Sequence, residues 1–289
     1  MEVSNPDKVL FPDDGITKGD LVGYYEAVAP LMVPHARGRP LTLERYPNGI
    51  GQQGFFQKNA ADYFPESIGR VVVPKEDGTV EHPVISDGDG LIYLANQGTV
   101  TFHVWTSRAP TLDRPDRMIF DLDPPEGDVV GARWAARRVR EILEELRLGA
   151  LPMTTGSKGY HVVVPLVPEA TIEQVGEAAR AIAAALAARH QDRLTTEFRV
   201  AKREGRVFID WLRNRYAQSG VCSWSVRPKP RAPVAVPLTW EEIGRSRPDR
   251  WRLATIGPRM ADGDPWADID RLAVPLGAAL EAVAGMTAG

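Results

Sequence analysis

Cysteine is nearly absent from the chain: Cys222 is the single one in 289 residues. An internal disulfide and a cysteine-rich zinc site are therefore excluded, and the chain suits a reducing cytosol. No stretch approaches the ~18 consecutive apolar residues of a membrane span. The opening residues, MEVSNPDKVLFPDDG, have neither a basic start nor an apolar run. These absences point to a cytoplasmic protein with no membrane partner. An excess of basic charge is missing too. With 35 Lys and Arg against 38 Asp and Glu the net charge is -3, so no global positive field advertises nucleic acid. Local clustering on one face decides that question, and basic residues do gather at Arg37, Arg39 and Arg45, at Lys202, Arg203 and Arg206, at Arg213 and Arg215, and at Arg227, Lys229 and Arg231. There is no internal repeat and no long linker.

The length allows one large domain or two, and the chain is organised around Arg117 to Pro125, RMIFDLDPP. Met118, Ile119 and Phe120 form an apolar run suited to a buried strand that delivers Asp121 and Asp123 at its end. Residues two apart on a strand share a face, so the carboxylates look the same way. Like charges so close raise one pKa unless a cation intervenes, so the pair either holds a divalent metal on hard oxygen ligands or is two solvated acids at a strand end. Pro124 and Pro125 stop the ladder where the sheet meets solvent. Further on, RVFIDW (Arg206 to Trp211) repeats the arrangement, with Val207, Phe208 and Ile209 ahead of Asp210. A third carboxylate so placed is what a two-metal site requires.

Around these strands the periodicity predicts an amphipathic helix after a Thr17 cap, with Leu21, Tyr24, Tyr25, Val28 and Leu31 inward and Pro34 as its end. Lys8 and Lys18, near that helix start, either grip a phosphate or are simply solvated. Pro40 to Tyr46 reads as a strand. In Phe55-Phe56 adjacent rings point opposite ways, so at most one need face the core and the other can serve as an exposed platform for a base; on these residues alone, core packing is the stronger reading. Val71 to Val73 and Val84-Ile85 form a hairpin, Asp87 to Gln97 a helix, and Val100 to Trp105 a strand carrying His103. This strand lies just before the aspartate strand in sequence and is a candidate for its antiparallel neighbour. Gly131 to Leu148 and Ile172 to His190 are long amphipathic helices. Between them, strands Leu151 to Thr155 and Tyr160 to Pro165 flank Gly156-Ser157-Lys158-Gly159. That turn is either a plain hairpin or a phosphate cradle in which glycines admit an anion and Ser157, Lys158 and free N–H groups donate; His161 opens the return strand. Ser223 to Arg231 interleaves aromatic and basic groups.

Taken in order, hhDhD at Ile119 to Asp123, S-x-G-x-H at Ser157 to His161 and hD at Ile209-Asp210 resemble the motif set of the archaeo-eukaryotic primase superfamily. Asn5-Pro-Asp-Lys8, Thr17-Lys18, Gly38-Arg-Pro40, Arg45-Tyr-Pro-Asn-Gly49, Phe55-Phe56-Gln-Lys58, Phe120-Asp-Leu-Asp-Pro124 and Phe208-Ile-Asp-Trp211 narrow the resemblance to the polymerase domain of bacterial ligase D and its stand-alone relatives, over roughly residues 4 to 245.

The resemblance implies an α/β (α+β) primase-polymerase fold: a mixed or antiparallel catalytic sheet flanked by helices, with the active site in a central cleft. It assigns residues 1–245 to the catalytic domain and 246–289 to a peripheral extension. Asp121, Asp123 and Asp210 would hold two Mn²⁺ or Mg²⁺ ions. Thr155, Ser157, Lys158, His161 and Arg227 would bind the nucleoside triphosphate, with His103 near its sugar. Asn5, Lys8 and Lys18 would hold a downstream DNA 5′-phosphate, and Arg45, Phe55, Phe56 and Lys58 the template. The implied activity is template-directed nucleotidyl transfer, preferring ribonucleotides, at gapped or broken DNA in end joining or short-gap repair. A separate ATP-dependent DNA ligase and the Ku end-binding protein are the implied partners, at the nucleoid. A DxD sugar-nucleotide transferase would leave Asp210 and the paired lysines without a role. A non-catalytic DNA-end binding module would leave all three carboxylates unexplained.

Overall fold

The computed structural model describes residues 2–287. The chain builds two compact units from interleaved segments. The first takes the N-terminal part to Pro110, then Ser219–Val236 and Asp249–Asp264; the second takes Thr111–Gln218, Pro237–Pro248 and the chain from Pro265 on. Residues 246–289, expected as one peripheral extension, are thus divided between them.

In the first unit, β1 (Val9–Phe11) and β2 (Ile16–Thr17) pair antiparallel and lead into α1 (Lys18–Ala36). Thr17 caps this helix in a capping box: its hydroxyl accepts from the Asp20 N–H, and its own N–H donates to the Asp20 carboxylate at 2.8 Å. Leu21, Tyr25, Val28 and Met32 are buried along one face. Pro34 does not end the helix as expected. It stands in the last turn, where its missing N–H costs one bond, and the Arg37 N–H closes on the Val33 carbonyl at 2.8 Å.

Then follow β3 (Leu41–Arg45), β4 (Phe55–Gln57), the hairpin of β5 (Gly69–Lys75) and β6 (Gly78–Val84), α2 (Gly88–Asn96) and β7 (Thr99–Val104). An antiparallel sheet runs Gly220–Val221, β7, β3, β4. Leu41, Leu43, Val100 and Phe102 join α1 in the core, where the Tyr25 ring meets Phe102 edge-on at 5.0 Å and its hydroxyl donates to the Val100 carbonyl at 2.6 Å. The strand carrying His103 is therefore no neighbour of the aspartate strand. Its two edges are taken by β3 and by Gly220–Val221.

The second unit is a five-stranded sheet with helices. In chain order it contains β8 (Arg117–Asp123), α3 (Val129–Glu145), β9 (Leu151–Thr154), β10 (Tyr160–Pro165), α4 (Ile172–Arg189), β11 (Leu194–Thr195) and β12 (Val207–Asp210). The strand order is β11-β12-β8-β10-β9, antiparallel except for β11 with β12. Asp128 caps α3 by accepting from the Gly131 N–H at 2.8 Å, and so starts it ahead of the apolar stripe. Both helices pack on the sheet. Phe120, Leu122, Val162 and Ile209 are fully buried, so alternation leaves Asp121 and its neighbours on the other face.

Candidate active site

The central strand β8 places Asp121 directly opposite His161 of β10 on one side and Asp210 of β12 on the other. Three adjacent strands therefore present His161, Asp121 and Asp210 as one row across a single face, with Asp123 one step further along. All but Asp123 are buried. The His161 Nε2 lies 3.4 Å from one Asp121 oxygen, and the Arg213 Nε donates to the other at 3.3 Å. The same guanidinium reaches Asp210 at 3.4 Å, while Lys158 lies 3.4 Å from Asp123.

Burial works against ionisation at all three aspartates. At Asp121 it is overcome by His161 and Arg213, which hold the carboxyl well below its ordinary value. At Asp123 burial and the Asp121 charge prevail over Lys158, and the pKa is raised. Asp210 is raised as well, by burial first and then by Asp121, although Arg213 opposes this. Arg213 resists desolvation because Asp121 and Asp210 both hold its charge, so its pKa rises.

Arg213 was visible in the sequence only as a member of a basic pair; its spacing of three residues from Asp210 was the available signal. Asn214, fully buried beside it, carries no catalytic signature in sequence. Its side-chain oxygen accepts the Ile119 N–H at 2.7 Å, and its amide donates to the Ile119 carbonyl at 2.7 Å and the Trp211 carbonyl at 2.8 Å. This side chain continues the ladder along β8 where β12 has ended, and ties the turn after Asp210 to the strand of Asp121.

The connection between β9 and β10 closes around Thr155, whose hydroxyl donates to the Gly159 carbonyl at 3.0 Å and accepts from the Ser157 N–H at 3.3 Å. Gly156 has φ +63°, and a Cβ on Gly159 would stand 1.8 Å from the Leu122 carbonyl oxygen, so the chain here passes directly over the end of β8. Thr155, Ser157 and Lys158 thereby reach the end of the sheet that carries Asp123. Lys158 is half-exposed, and the buried His161 Nδ1 has no hydrogen-bond partner.

Among the described residues no three His, Cys, Asp or Glu side chains converge as an ion site in the present arrangement; Arg213 and Lys158 occupy the carboxylate oxygens instead. The donor set nonetheless fits a divalent cation. It offers hard oxygens on one sheet face, two of them in carboxyls raised by burial and mutual repulsion.

The remaining site residues of the sequence reading lie in the first unit. Phe56 stands opposite Glu44 in the β3–β4 register, and its ring meets His103 edge-on at 5.8 Å. Core packing of the phenylalanine pair does not occur: Phe55 is 46% and Phe56 62% exposed, because β4 is the sheet's edge strand. Arg45 is buried, donating to the Gln97 carbonyl at 3.0 Å, to Gln57 at 2.6 Å and to Tyr63 at 3.1 Å, with its guanidinium 5.4 Å from the Phe55 centroid. Lys58 is exposed and Arg227 half-buried. Asn5 is exposed with φ +50°. Lys8 donates to Asn48 at 3.0 Å, and Lys18 to the Ser4 carbonyl and hydroxyl at 2.7 and 2.6 Å. Burial, and then Lys8, lower the Lys18 pKa. The first N–H groups of α1 are not open to an anion, since Lys18 and Gly19 donate to the Lys8 and Pro6 carbonyls, both at 2.8 Å.

Residues 17–266 match the family model for the LigD primase-polymerase domain. The chain belongs to that family. It is a primase-polymerase domain, a DNA-directed nucleotidyltransferase, and its antiparallel sheets flanked by helices are the architecture expected of it. The polymerase domain of Mycobacterium tuberculosis ligase D, solved in complex with DNA, is similar with a TM-score of 0.88 and 33% identity, over 94% of this chain and 98% of that one. The multifunctional non-homologous end joining protein LigD of Mycolicibacterium smegmatis is 34% identical over 93% of this chain. The bifunctional non-homologous end joining protein LigD of Bacillus subtilis is 30% identical over 94%. This primase-polymerase chain spans 36% and 44% of those two proteins' lengths. Among its described residues no helix is long and apolar enough to cross a membrane.

Proposed function

We propose that this primase-polymerase extends a primer at gapped or broken DNA with a downstream 5′-phosphate, preferring ribonucleoside triphosphates, in cytoplasmic end joining or short-gap repair. The observation that carries the reading is the in-register row of Asp121 and Asp210, with Asp123 one step along the same face. These aspartates are assigned to two Mn²⁺ or Mg²⁺ ions. When bound, such ions supply Lewis-acid activation of the primer 3′-hydroxyl and neutralise the leaving pyrophosphate. The protein's part is to hold three carboxylates on a rigid sheet, with Asn214 fixing the end of β12 to β8. Arg213 and Lys158 compensate the carboxylates until substrate arrives. Thr155, Ser157, Lys158, His161 and Arg227 are assigned to the triphosphate, His103 to its sugar, and Phe55, Phe56 and Lys58 to the template. Arg45 supports Phe55 rather than reaching outward. Asn5, Lys8 and Lys18 are assigned to the 5′-phosphate through side chains alone.

Catalysis is assigned to residues 1–245, with 246–289 completing both units. An ATP-dependent DNA ligase activity seals the product, and Ku presents the ends. The test is extension of a labelled primer across a phosphorylated gap with Mn²⁺ or Mg²⁺. Asp121→Ala, Asp123→Ala and Asp210→Ala should each abolish extension while DNA binding survives. Near wild-type turnover by any of them would overturn the assignment.

A further inference from the structure

The face of the β7-β3-β4 sheet opposite Leu43 and Phe102 holds a carboxylate that the proposed function does not use. Glu44 is only 8% exposed, and a buried carboxylate persists only where its oxygens are occupied. Both are. The Tyr46 hydroxyl donates to Oε1 at 3.0 Å, and the His103 Nε2 lies 3.3 Å from Oε2. The sheet register explains why the three meet. Thr42 pairs with His103 and Glu44 with Thr101, so Glu44 and His103 sit diagonally on one face, and Phe56 stands across from Glu44 on the other neighbouring strand. The Phe56 ring edge then confines the imidazole from a second direction.

Tyr46 in turn is held by the backbone. A Cβ on Gly54 would fall 2.4 Å from its ring, so the phenol occupies space that only glycine leaves. The charges agree with this arrangement. Burial opposes the Glu44 anion, yet His103 and Arg227 bring its pKa below the ordinary value, and burial together with that anion pushes Tyr46 up to about 12.

We propose that Glu44 is a positioning residue for sugar recognition: its carboxylate, oriented by Tyr46, takes the His103 Nε2–H and fixes the ring that meets the nucleotide's 2′-hydroxyl. The inference rests on the assignment of His103 to the sugar. A hydroxyl-recognising group discriminates only as well as it is held, because a loose donor or acceptor pays ordering entropy at each encounter. The carboxylate acts through the ring, so its effect falls on ribonucleotides and not on the aspartate chemistry.

The test measures kcat and KM for ribo- and deoxyribonucleotides on one phosphorylated gap with Mn²⁺, for wild type, His103→Ala, Glu44→Ala, Glu44→Gln and Tyr46→Phe; melting temperatures establish folding. His103→Ala should abolish the ribonucleotide preference. Glu44→Ala should reduce it by about tenfold, the loss of one charge-assisted hydrogen bond, mainly through a raised KM for the ribonucleotide. Glu44→Gln, which keeps an acceptor oxygen, should recover part of it, and Tyr46→Phe should lose a smaller part. If His103→Ala removes the preference while Glu44→Ala keeps it within twofold, the inference is overturned and the sugar assignment stands. If His103→Ala leaves the preference intact, the assignment itself falls, and the inference with it. Should Glu44→Ala fail to fold, the Glu44→Gln and Tyr46→Phe ratios decide: wild-type values in both overturn it.

Discussion

Asparagine in place of Asp210 should make the metal-free protein more stable and inactive. Asp121, Asp123 and Asp210 bring three negative charges to one sheet face, and Arg213 and Lys158 return two positive ones; His161 aside, one negative charge is left over. Because the Asp210 pKa is raised in the folded protein, by burial first, its ionised form opposes folding. A raised carboxyl stabilises the fold below its unfolded value of about 4 and loses that contribution as pH rises through the folded value. At pH 7.5 the wild type therefore carries a penalty that asparagine lacks. The amide still accepts the Leu212 N–H that Asp210 accepts at 2.9 Å, and Arg213 keeps Asp121. Relief of one uncompensated buried charge is worth about 1 kcal/mol, or about 2–4 °C in Tm for a chain of this size.

Calorimetry in EDTA at pH 7.5 should show that gain, and it should vanish below about pH 4, where the wild-type carboxyl is protonated. In Mn²⁺ at a hundredfold its Kd the order should reverse, since a bound ion adds about 2.7 kcal/mol to the protein that binds it. A variant that melts below wild type in EDTA at neutral pH, or whose gain persists unchanged at pH 3.5, would refute the charge argument.

Asp121→Asn should act with the opposite sign. Its carboxyl is lowered, so it stabilises the fold above pH ~4, and its loss should lower Tm in EDTA at neutral pH. Lys158→Ala and Arg227→Ala should each raise the KM for nucleotide by about 10- to 100-fold, the worth of one charged hydrogen bond, while DNA affinity in a mobility-shift assay stays put; unchanged KM in both would remove them from the triphosphate. Lys8→Ala with Lys18→Ala should erase the preference for phosphorylated over hydroxyl-ended gaps in a fluorescence titration, and equal affinity of the wild type for both would dissolve the pocket. Gly159→Ala should cost about 1–3 kcal/mol in a denaturant titration through its clash with the Leu122 carbonyl, and a neutral result would mean that the crossing over β8 yields easily.

The aspartate row was legible because a strand writes its geometry into sequence directly: three apolar residues ahead of each acid gave the strand, and the period of two gave the shared face of Asp121 and Asp123. The helices and the Thr17 cap follow from equally local rules, whereas the Asp128 cap of α3 went unread. Features that depend on a distant partner were not legible. The strand of His103 precedes that of Asp121 in sequence, yet strand pairing is settled by which edges remain open, and β7 finds β3 and Gly220–Val221. Both phenylalanines are exposed because β4 lies at a sheet edge, and no local pattern tells an edge strand from a central one. Arg45, which the resemblance gives to the template, is consumed by Gln57, Tyr63 and Gln97. Asn214 works by imitating a strand with its side chain, which leaves no periodic trace.

The alternation of the chain between its two units bears on how the protein is made. The first unit's core includes Trp224, Val226, Val234 and Ile256 along with residues of α1 and β3, so the first hundred residues leave the ribosome without the partners that complete their interior. At about 5–20 residues per second, the nascent chain must wait several seconds with Leu41, Leu43 and Phe102 incompletely covered. The second unit is in the same position, since Trp266 donates to the Leu238 carbonyl at 3.3 Å only after both units have been entered and left. Neither half can be expressed as a contiguous fragment, and a ribosome stalled near residue 240 would release a chain in which both interiors remain open.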